Sequence, residues 1–234
     1  TFDGVHLGHQ HILDQVKSRA KKLGGESLLM TFHPHPRKVL SGDGAPELRL
    51  LQTLDEKIAT LKAYGLDKLL VMPFTRKFSQ LSAEDYVKQI LADVIGVSEI
   101  IIGFDHKFGA SRQGDFDLLK RMGKAYHFKV REISAQVLDE VKVSSSHIRE
   151  ALQTGKVRRA ESLLGRPYSL SGEVVQGDHL GRQLGFPTAN LGEINSHKLI
   201  PKIGVYAVRV SSETLIEHPA MMNIGYRPTV DGRT

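Results

Sequence analysis

The chain has 234 residues, 40% hydrophobic and 25% charged, which is ordinary for a globular protein of one large or two smaller domains. It contains no cysteine, which excludes disulfides and thiolate catalysis and predicts a cytoplasmic location. No run of about eighteen apolar residues is present, so no membrane partner is expected. The net charge of +6 favours anionic ligands, and because the basic residues are spread out, nucleotide phosphates suit them better than nucleic acid.

The first ten residues contain two histidines, His6 and His9, at the predicted start of a helix. Apolar residues recur at helical spacing after them, and Gly24 marks the predicted end of the helix. Residues three apart share one helical face, beside backbone N–H groups at the positive end of the helix dipole. We therefore predict that both imidazoles bind an anion, with a phosphate chain as the preferred ligand. Gly8 would let that ligand approach the backbone. The alternative is two solvated or capping histidines.

Strand-like and helical segments alternate through the first two thirds of the chain. We predict strands near residues 28–32, 68–72, 99–103 and 127–133, with helices between them and a long loop at 37–51. This alternation predicts an α/β fold with a Rossmann-like parallel sheet, whose ligands bind at the carboxyl ends of the strands. The unusual segments 6–9, 33–36, 73–77 and 105–109 all fall at those ends.

Three serines, at positions 144 to 146, precede a further predicted helix that carries Ile148 and Leu152 and ends at Gly155. Together with Arg149 they offer hydroxyls, free backbone N–H groups and a fixed charge, so we predict a second phosphate site here. A serine N-cap alone is the alternative. A last helix ends at Gly165, where we predict the boundary between a first domain, residues 1–165, and a second domain, residues 166–234.

Beyond residue 165 the sequence changes to alternating and β-branched segments separated by glycine and proline. This pattern predicts a small antiparallel β-barrel or sandwich. A glycine-rich loop, residues 177–185, is followed by Thr188 and Asn190. In a strand these two side chains face the same side and could hold a hydrated Mg²⁺ with its phosphates. A β-turn loop with incidental polar residues is the alternative.

These motifs resemble those of the prokaryotic bifunctional riboflavin kinase/FAD synthetase family. The first module of that family is an adenylyltransferase with the patterns G-x-F-D-G-V-H-x-G-H-Q, F-x-P-H-P and S-S-T-x-I-R. Similar segments here are residues 2–10, 32–36 and 144–149. The second module's G-R-x-L-G-F-P-T-A-N-L pattern is present at 181–191. A family loop, G-x-D-F-x-F-G, is similar to residues 103–109, although His106 stands in place of an aromatic residue.

The resemblance implies that the first module transfers AMP from ATP to FMN, giving FAD and pyrophosphate, and that the second phosphorylates riboflavin to FMN with ATP. It implies catalytic roles on the phosphates for His6, His9, Ser145, Ser146 and Arg149. It implies substrate contacts for a wider set of residues: Phe2, Gly4, Gly8, His33, Pro34, His35, Pro36, Asp105, Gly109, Gly181 and Pro187. Thr188 and Asn190 would coordinate Mg²⁺.

Three alternatives stay open at this point. One is a related nucleotidyltransferase acting on another phosphorylated substrate, which the kinase-like second module disfavours. Another is a catalytic core like that of class I aminoacyl-tRNA synthetases, disfavoured because residues 144–149 contain no lysine. The third is a flavin- or RNA-binding regulator without catalysis. The family extends beyond both ends of the sequence, with a strand before residue 1 and a glutamate base after residue 234. We therefore expect the sequence to be a fragment that lacks kinase turnover.

Overall fold

The protein is described by a computed structural model that covers residues 2–42, 47–104, 106–133, 143–177, 185 and 188–225. Contacts between its parts divide the chain into two compact units, Thr1–Ser145 and Ser146–Thr234. Strand pairs in the first unit are parallel, and those in the second are antiparallel. The chain therefore has a mixed α/β fold, and the predicted change of strand arrangement along the chain is confirmed.

Helices and strands alternate along the first unit. In chain order they are α1 (Leu7–Leu23), β1 (Leu28–His33), α2 (Pro36–Leu40), α3 (Leu54–Ala63), β2 (Lys68–Pro73), α4 (Arg76–Ser79), α5 (Ala83–Asp85), a π-helix (Tyr86–Ile95), β3 (Glu99–Gly103), a 3₁₀-helix (Ala110–Arg112), α6 (Phe116–Ala125) and β4 (Lys129–Ile133). Each of the four strands predicted for this part of the chain is present to within two residues.

The strands of the first unit pair in parallel, β1 with β2 and β3 with β4. The register of the first pair places His33 opposite Pro73, so the loops that follow β1 and β2 leave from the same edge. In the described residues these are two two-stranded sheets. Met30 of β1 packs on the hydrophobic cluster that contains Ile102 of β3, so the two pairs share a core.

Local signals in the sequence explain where several helices begin. Thr53 and Glu56 form a reciprocal capping box: Thr53 Oγ1 accepts from the Glu56 N–H at 3.2 Å, and the Glu56 carboxylate accepts from the Thr53 N–H at 3.0 Å. The loop predicted for residues 37–51 is partly wrong, since residues 37–40 belong to α2. Pro36 is tolerated in a first helical turn, and His35 Nδ1 accepts from the Arg37 N–H at 3.2 Å.

Two clusters of buried side chains form the core among the described residues of the first unit. The larger joins the π-helix, β3, α6 and the chain before β4 through Val87, Leu91, Ile102, Leu119 and Phe128. The other contains Val5, Leu13, Leu29 and Leu61. This second cluster packs α1, β1 and α3 against Val5, the residue immediately before His6. The turn that precedes α1 is therefore part of the core.

In the described residues from Ser145 onward, two helices and four strands follow. They are α7 (Ser145–Gln153), α8 (Val157–Leu164), β5 (Glu173–Val175), β6 (Asn190–Gly192), β7 (Gly204–Val210) and β8 (His218–Ile224). β5 pairs with β6 and β7 with β8. The backbone N–H of Lys202 donates to the Leu152 carbonyl at 3.0 Å, which ties α7 to the chain before β7. By contacts α7 and α8 therefore group with the second unit, and the domain boundary at residue 165 stays a prediction.

A buried carboxylate joins three elements of the first unit. Glu99 of β3 accepts two hydrogen bonds from Arg19 of α1, at 2.9 and 2.8 Å, and another from Arg131 of β4. The Glu99 side chain is only 4% exposed, whereas the arginines are 26% and 52% exposed. The hydrogen bonds from Arg19, with those from Arg131, hold the pKa of Glu99 below its usual range, although its burial acts in the opposite direction.

We expect Glu99→Gln to lower the free energy of unfolding by about 1 kcal/mol at pH 7, because both guanidinium groups are partly screened by water. The contribution of Glu99 is fully present above its unfolded-state pKa of about 4.3 and is lost as pH falls through the lower folded-state pKa. Urea unfolding at pH 7 and pH 3 should therefore show the difference shrinking in acid. Glu26→Gln, which removes only an exposed ion pair with Lys68, is the matched control. An equal effect of both variants would contradict this account.

Candidate functional site

The turn before α1 places the two predicted histidines side by side. His6 is the N-cap of the helix, and its Nδ1 accepts a hydrogen bond from the His9 backbone N–H at 3.4 Å. Because Nδ1 accepts, the proton of a neutral His6 ring lies on Nε2. Gln10 Nε2 donates to the Val5 carbonyl at 3.0 Å and closes the turn from the other side. The predicted helix start is confirmed, and His6 has the capping role considered as an alternative.

The two imidazole rings are stacked. Their centroids are 3.6 Å apart with an interplanar angle of 17°, and the Phe2 ring lies 4.5 Å from that of His9. His6 is 5% exposed. Nδ1 of His9 is buried and has no hydrogen-bond partner within the described part of the chain. Buried polar atoms without partners are uncommon in folded proteins, and each one calls for an explanation such as a function.

The surroundings of His9 favour its neutral form. Burial lowers the pKa of His9 well below 6.5, and the nearby His6 and Lys57 lower it further. Burial does so because it removes water from the charged form, and a second positive charge beside the ring adds repulsion. His9 is therefore neutral at pH 7. The sequence left this charge state open.

The backbone of the turn is held in an unfavourable conformation. Gly4 has φ 89°, and Phe2 and Val5 also have positive φ, 53° and 40°. A β-branched residue rarely adopts such a φ, so the surrounding structure must hold it there. Val5 is fully buried in the core cluster. The buried Asp3 carboxylate accepts from the Leu51 N–H, with both oxygens 3.1 Å from the nitrogen.

Gly8 has a packing role that the sequence did not reveal. A Cβ atom built on it would lie 3.3 Å from both Cε1 and Nδ1 of His6 and 3.5 Å from the Val143 carbonyl oxygen. The two distances to His6 are tighter than ordinary contacts, whereas the distance to Val143 is an ordinary one. The absent side chain thus makes room for the His6 ring, and the predicted close approach of a ligand to Gly8 stays a prediction.

A buried lysine lies next to this turn, and sequence reasoning missed it. Lys57 of α3 is 7% exposed, and its Nζ donates to Thr31 Oγ1 at 3.4 Å. Burial lowers the pKa of Lys57, while the Asp3 carboxylate raises it. A signal was present in the sequence: Lys57 follows Leu54 by three residues and precedes Leu61 by four, so it lies on the apolar stripe of the helix.

The serine segment contacts the same turn. Ser145, the first residue of α7, donates a hydrogen bond from Oγ to the Asp3 carbonyl at 2.8 Å. The structure thus brings Ser145 together with the His6–His9 turn. Ser146 is exposed and Arg149 half-buried on α7 within the second unit, and their roles on phosphate stay predictions.

Aromatic side chains connect the loops that follow β1, β2 and β3. Ring centroids lie 5.5 to 6.3 Å apart along a row that runs in order through Phe32, Phe74, Phe78, Tyr86, Phe108 and His106. Burial raises the pKa of Tyr86 to about 12, so its phenol is neutral, and its hydroxyl lies 3.1 Å from the Met30 sulfur. We call this set the aromatic row. It shows that segments at or after the carboxyl ends of β1, β2 and β3 contact one another, whereas their placement at one edge of a single sheet stays a prediction.

The other residues predicted to contact substrate have varied surroundings. His33, the last residue of β1, and Pro34 are both exposed, and the peptide bond between them is cis. His35 caps α2. Gly109 has φ 72°, and a Cβ there would lie 2.6 Å from the Ala83 Cα, so close packing requires glycine. Three further predicted residues lie outside the described residues: Asp105, Gly181 and Pro187.

In the second unit, Thr188 and Asn190 are both exposed, and Asn190 begins β6. A Cβ on Gly177 would lie 2.1 Å from the Asn190 side-chain nitrogen, so the amide occupies space that only glycine leaves free. Among the described residues no group of three or more His, Cys, Asp or Glu side chains is arranged to hold a metal ion. A cation here would depend on hydroxyl, amide, water and phosphate oxygens, which are ligands suited to Mg²⁺.

Comparisons with known proteins identify related families and relatives over nearly the whole chain. The FAD synthetase family model matches residues 1–147, and the riboflavin kinase family model matches residues 164–234. The chain is 41% identical to the bifunctional riboflavin kinase/FMN adenylyltransferase of Buchnera aphidicola subsp. Schizaphis graminum, over 97% of this chain and 72% of that protein. It is 38% identical to the protein of the same name from Escherichia coli (strain K12), over 99% of this chain and 72% of that protein.

A solved structure has a similar fold over 99% of this chain and 74% of its own chain, with a TM-score of 0.83 and 28% identity. It is described as a macrolide-efflux protein from Streptococcus pneumoniae. None of the helices in the described part of this chain combines the length and hydropathy needed to span a membrane. The two family models and the relatives at 38–41% identity show that the chain belongs to the bifunctional riboflavin kinase/FMN adenylyltransferase family.

Proposed function

We propose that the His6–His9 turn binds the phosphates of ATP during adenylyl transfer. Family membership gives the chain two activities, FMN adenylyltransferase and riboflavin kinase, and hence the substrates ATP, FMN and riboflavin. One observation carries the assignment of the site: two stacked imidazoles at the N-terminus of a 17-residue helix, one of them with a buried nitrogen that has no partner in the described residues. Such a helix start favours anions.

In the proposed reaction, a phosphate oxygen of FMN attacks the α-phosphorus of ATP. The bond from that phosphorus to the oxygen bridging it to the β-phosphorus breaks, and pyrophosphate leaves with the bonding electron pair. No covalent enzyme intermediate is needed, so the protein contributes positioning and charge stabilisation. With its Nδ1 accepting from the helix, His6 has Nε2–H as its donor, and the neutral His9 ring also offers one N–H.

The start of α7 is proposed to bind the departing pyrophosphate. Ser145 supports this role because its hydroxyl already contacts the turn through the Asp3 carbonyl. Backbone N–H groups in the first turn of this nine-residue helix, the Ser146 hydroxyl and the Arg149 guanidinium would add donors.

The aromatic row is proposed to lie beside the ring systems of the substrates. Flavin and adenine are flat and apolar on their faces, and they pack on aromatic side chains. The aromatic row runs beside the segments that follow β1 and β3, residues 33–36 and 105–109, which contain two sets of predicted substrate contacts. The proposed contacts from these loops and from the turn are Phe2, Gly4, Gly8, His33, Pro34, His35, Pro36, Asp105 and Gly109.

Thr188 and Asn190 are proposed to hold Mg²⁺ in the riboflavin kinase module, together with phosphate and water oxygens. Their exposure and the position of the Asn190 amide over Gly177 support this role. When bound, the ion would neutralise charge on the phosphates. Gly181 belongs to the loop, residues 177–185, that is proposed to cover those phosphates, and Pro187 is proposed to contact the substrate.

We also propose finer features of the fold. The two parallel pairs would be parts of one Rossmann-like sheet, and the antiparallel strands parts of a small β-barrel, divided at residue 165. The cytoplasmic location stays a prediction based on the cysteine-free sequence. The alternative substrates and the non-catalytic regulator are not favoured, because both family models match in the order expected for the bifunctional enzymes.

His9→Ala should lower the rate of FAD formation from FMN and ATP by about 10²–10³, the usual effect of removing one donor to transition-state charge. The rate can be measured by chromatography of the products. His11→Ala is the matched control, since His11 lies on the same helix and contacts Gln15 rather than the turn. We expect its rate to equal that of the unchanged protein. Wild-type rates in a folded His9→Ala variant would show that the site is wrongly assigned.

Asn190→Ala should weaken the binding of Mg–ADP to the second unit by about tenfold, because one oxygen ligand is lost, equivalent to about 1.4 kcal/mol. Isothermal titration with and without Mg²⁺ measures this effect independently of kinase turnover. FAD formation by the same variant is the internal control and should be unchanged. Equal loss of affinity with and without Mg²⁺ would argue against a metal ligand.

A further inference from the structure

We propose that Lys57 is a positioning residue of the adenylyl-transfer site, whose buried ammonium holds the Asp3 carboxylate and supplies a fixed positive charge behind the stacked histidines. The inference rests on the proposed role of the His6–His9 turn in binding ATP. It concerns a side chain from a different part of the chain, 48 residues after His9.

The geometry places Lys57 among three segments. Its Nζ donates to Thr31 Oγ1 of β1, a side chain with no solvent exposure. The Asp3 carboxylate interacts electrostatically with the ammonium and also accepts from the Leu51 and Gln52 N–H groups, at 3.1 and 3.3 Å. Asp3 and Lys57 therefore connect the turn, the chain before α3 and β1 through buried polar contacts.

A buried ammonium is a poor choice if stability alone is required. Transfer of a charged group from water into a protein interior is unfavourable, and replacement of buried ion pairs by apolar side chains is often neutral or stabilising. Position 57 lies on the same stripe of α3 as Leu54 and Leu61, where methionine would fit the helical pattern. The presence of lysine therefore points to a use for its charge.

Lys57 acts on His9 electrostatically, because its positive charge lowers the pKa of the His9 imidazole. Among the described side chains, the positive groups that lower the pKa of His9 are His6 from the turn and Lys57 from α3. Because Lys57 is buried, water and salt screen its field weakly. Positive charge is thus already present behind the neutral imidazole before the triphosphate arrives, without a proton having to be added to His9. Asp3 keeps that charge at a fixed place.

The test compares Lys57→Met and Lys57→Arg with Lys62→Met. Lys62 is exposed on the same helix, so its removal takes away one positive charge without touching the buried group. For each variant, steady-state kinetics of FAD formation give kcat and KM for ATP and for FMN, and thermal unfolding gives Tm. NMR titration of the imidazole resonances gives the pKa of His9.

We expect Lys57→Met to lower kcat/KM for ATP by about 10- to 100-fold, the usual effect of removing a group that orients the residues contacting a ligand. KM for FMN should stay unchanged, and the pKa of His9 should rise, because one of the positive charges that lowers it is gone. Lys57→Arg should recover part of the activity, and Lys62→Met should match the unchanged protein in every measurement.

Wild-type kcat/KM for ATP in a folded Lys57→Met variant would overturn the proposal, as would equal losses toward ATP and FMN with an unchanged His9 pKa. If Lys57→Met does not fold, Lys57→Gln replaces it, and the same two measurements decide. Absence of FAD formation by the unchanged protein and by Lys62→Met would instead refute the proposed function. The two failures are therefore distinguishable.

Discussion

The structure around the site depends on one buried carboxylate, that of Asp3. It accepts backbone hydrogen bonds from Leu51 and Gln52 and interacts with the Lys57 ammonium, all within a region closed to water. These contacts offset the cost of a turn in which Val5 has a positive φ. Without them, nothing in the local sequence would favour the conformation that stacks the two imidazoles at the start of α1. The buried contacts of Asp3 therefore hold the strained turn in the conformation that the site requires.

The proposed preference of the site for anions depends on ordinary groups. A helix start, the neutral His9 ring stacked on His6, and the buried Lys57 ammonium would together give positive potential without a strong nucleophile. This suits a direct transfer between phosphates, which requires geometry and charge rather than covalent chemistry. The second unit has different polar groups, a hydroxyl and an amide beside a glycine, as expected of a family whose members combine two ATP-dependent activities in one chain.

Features encoded within a few residues could be predicted from the sequence. The Thr53–Glu56 capping pattern marks the start of α3, and the apolar residues at helical spacing after His9 indicated that a helix begins near the two histidines. Residues 37–40 were misinterpreted as part of a loop, because the proline before them favours both loops and first helical turns. The link from Asp3 to Leu51 could not be predicted, since it joins residues 48 apart and no local pattern records such a pairing. The stacking of the rings and the burial of Lys57 depend on the same long-range contacts.

The central claim is that the His6–His9 turn binds the triphosphate of ATP, and it is tested most directly by NMR of the imidazole resonances during titration with a non-hydrolysable ATP analogue. The account predicts saturable shifts of the His6 and His9 resonances at one common dissociation constant, with the resonance of His11, two residues after His9 on α1, nearly unchanged. Saturable binding of the analogue that leaves both His6 and His9 unshifted would contradict it.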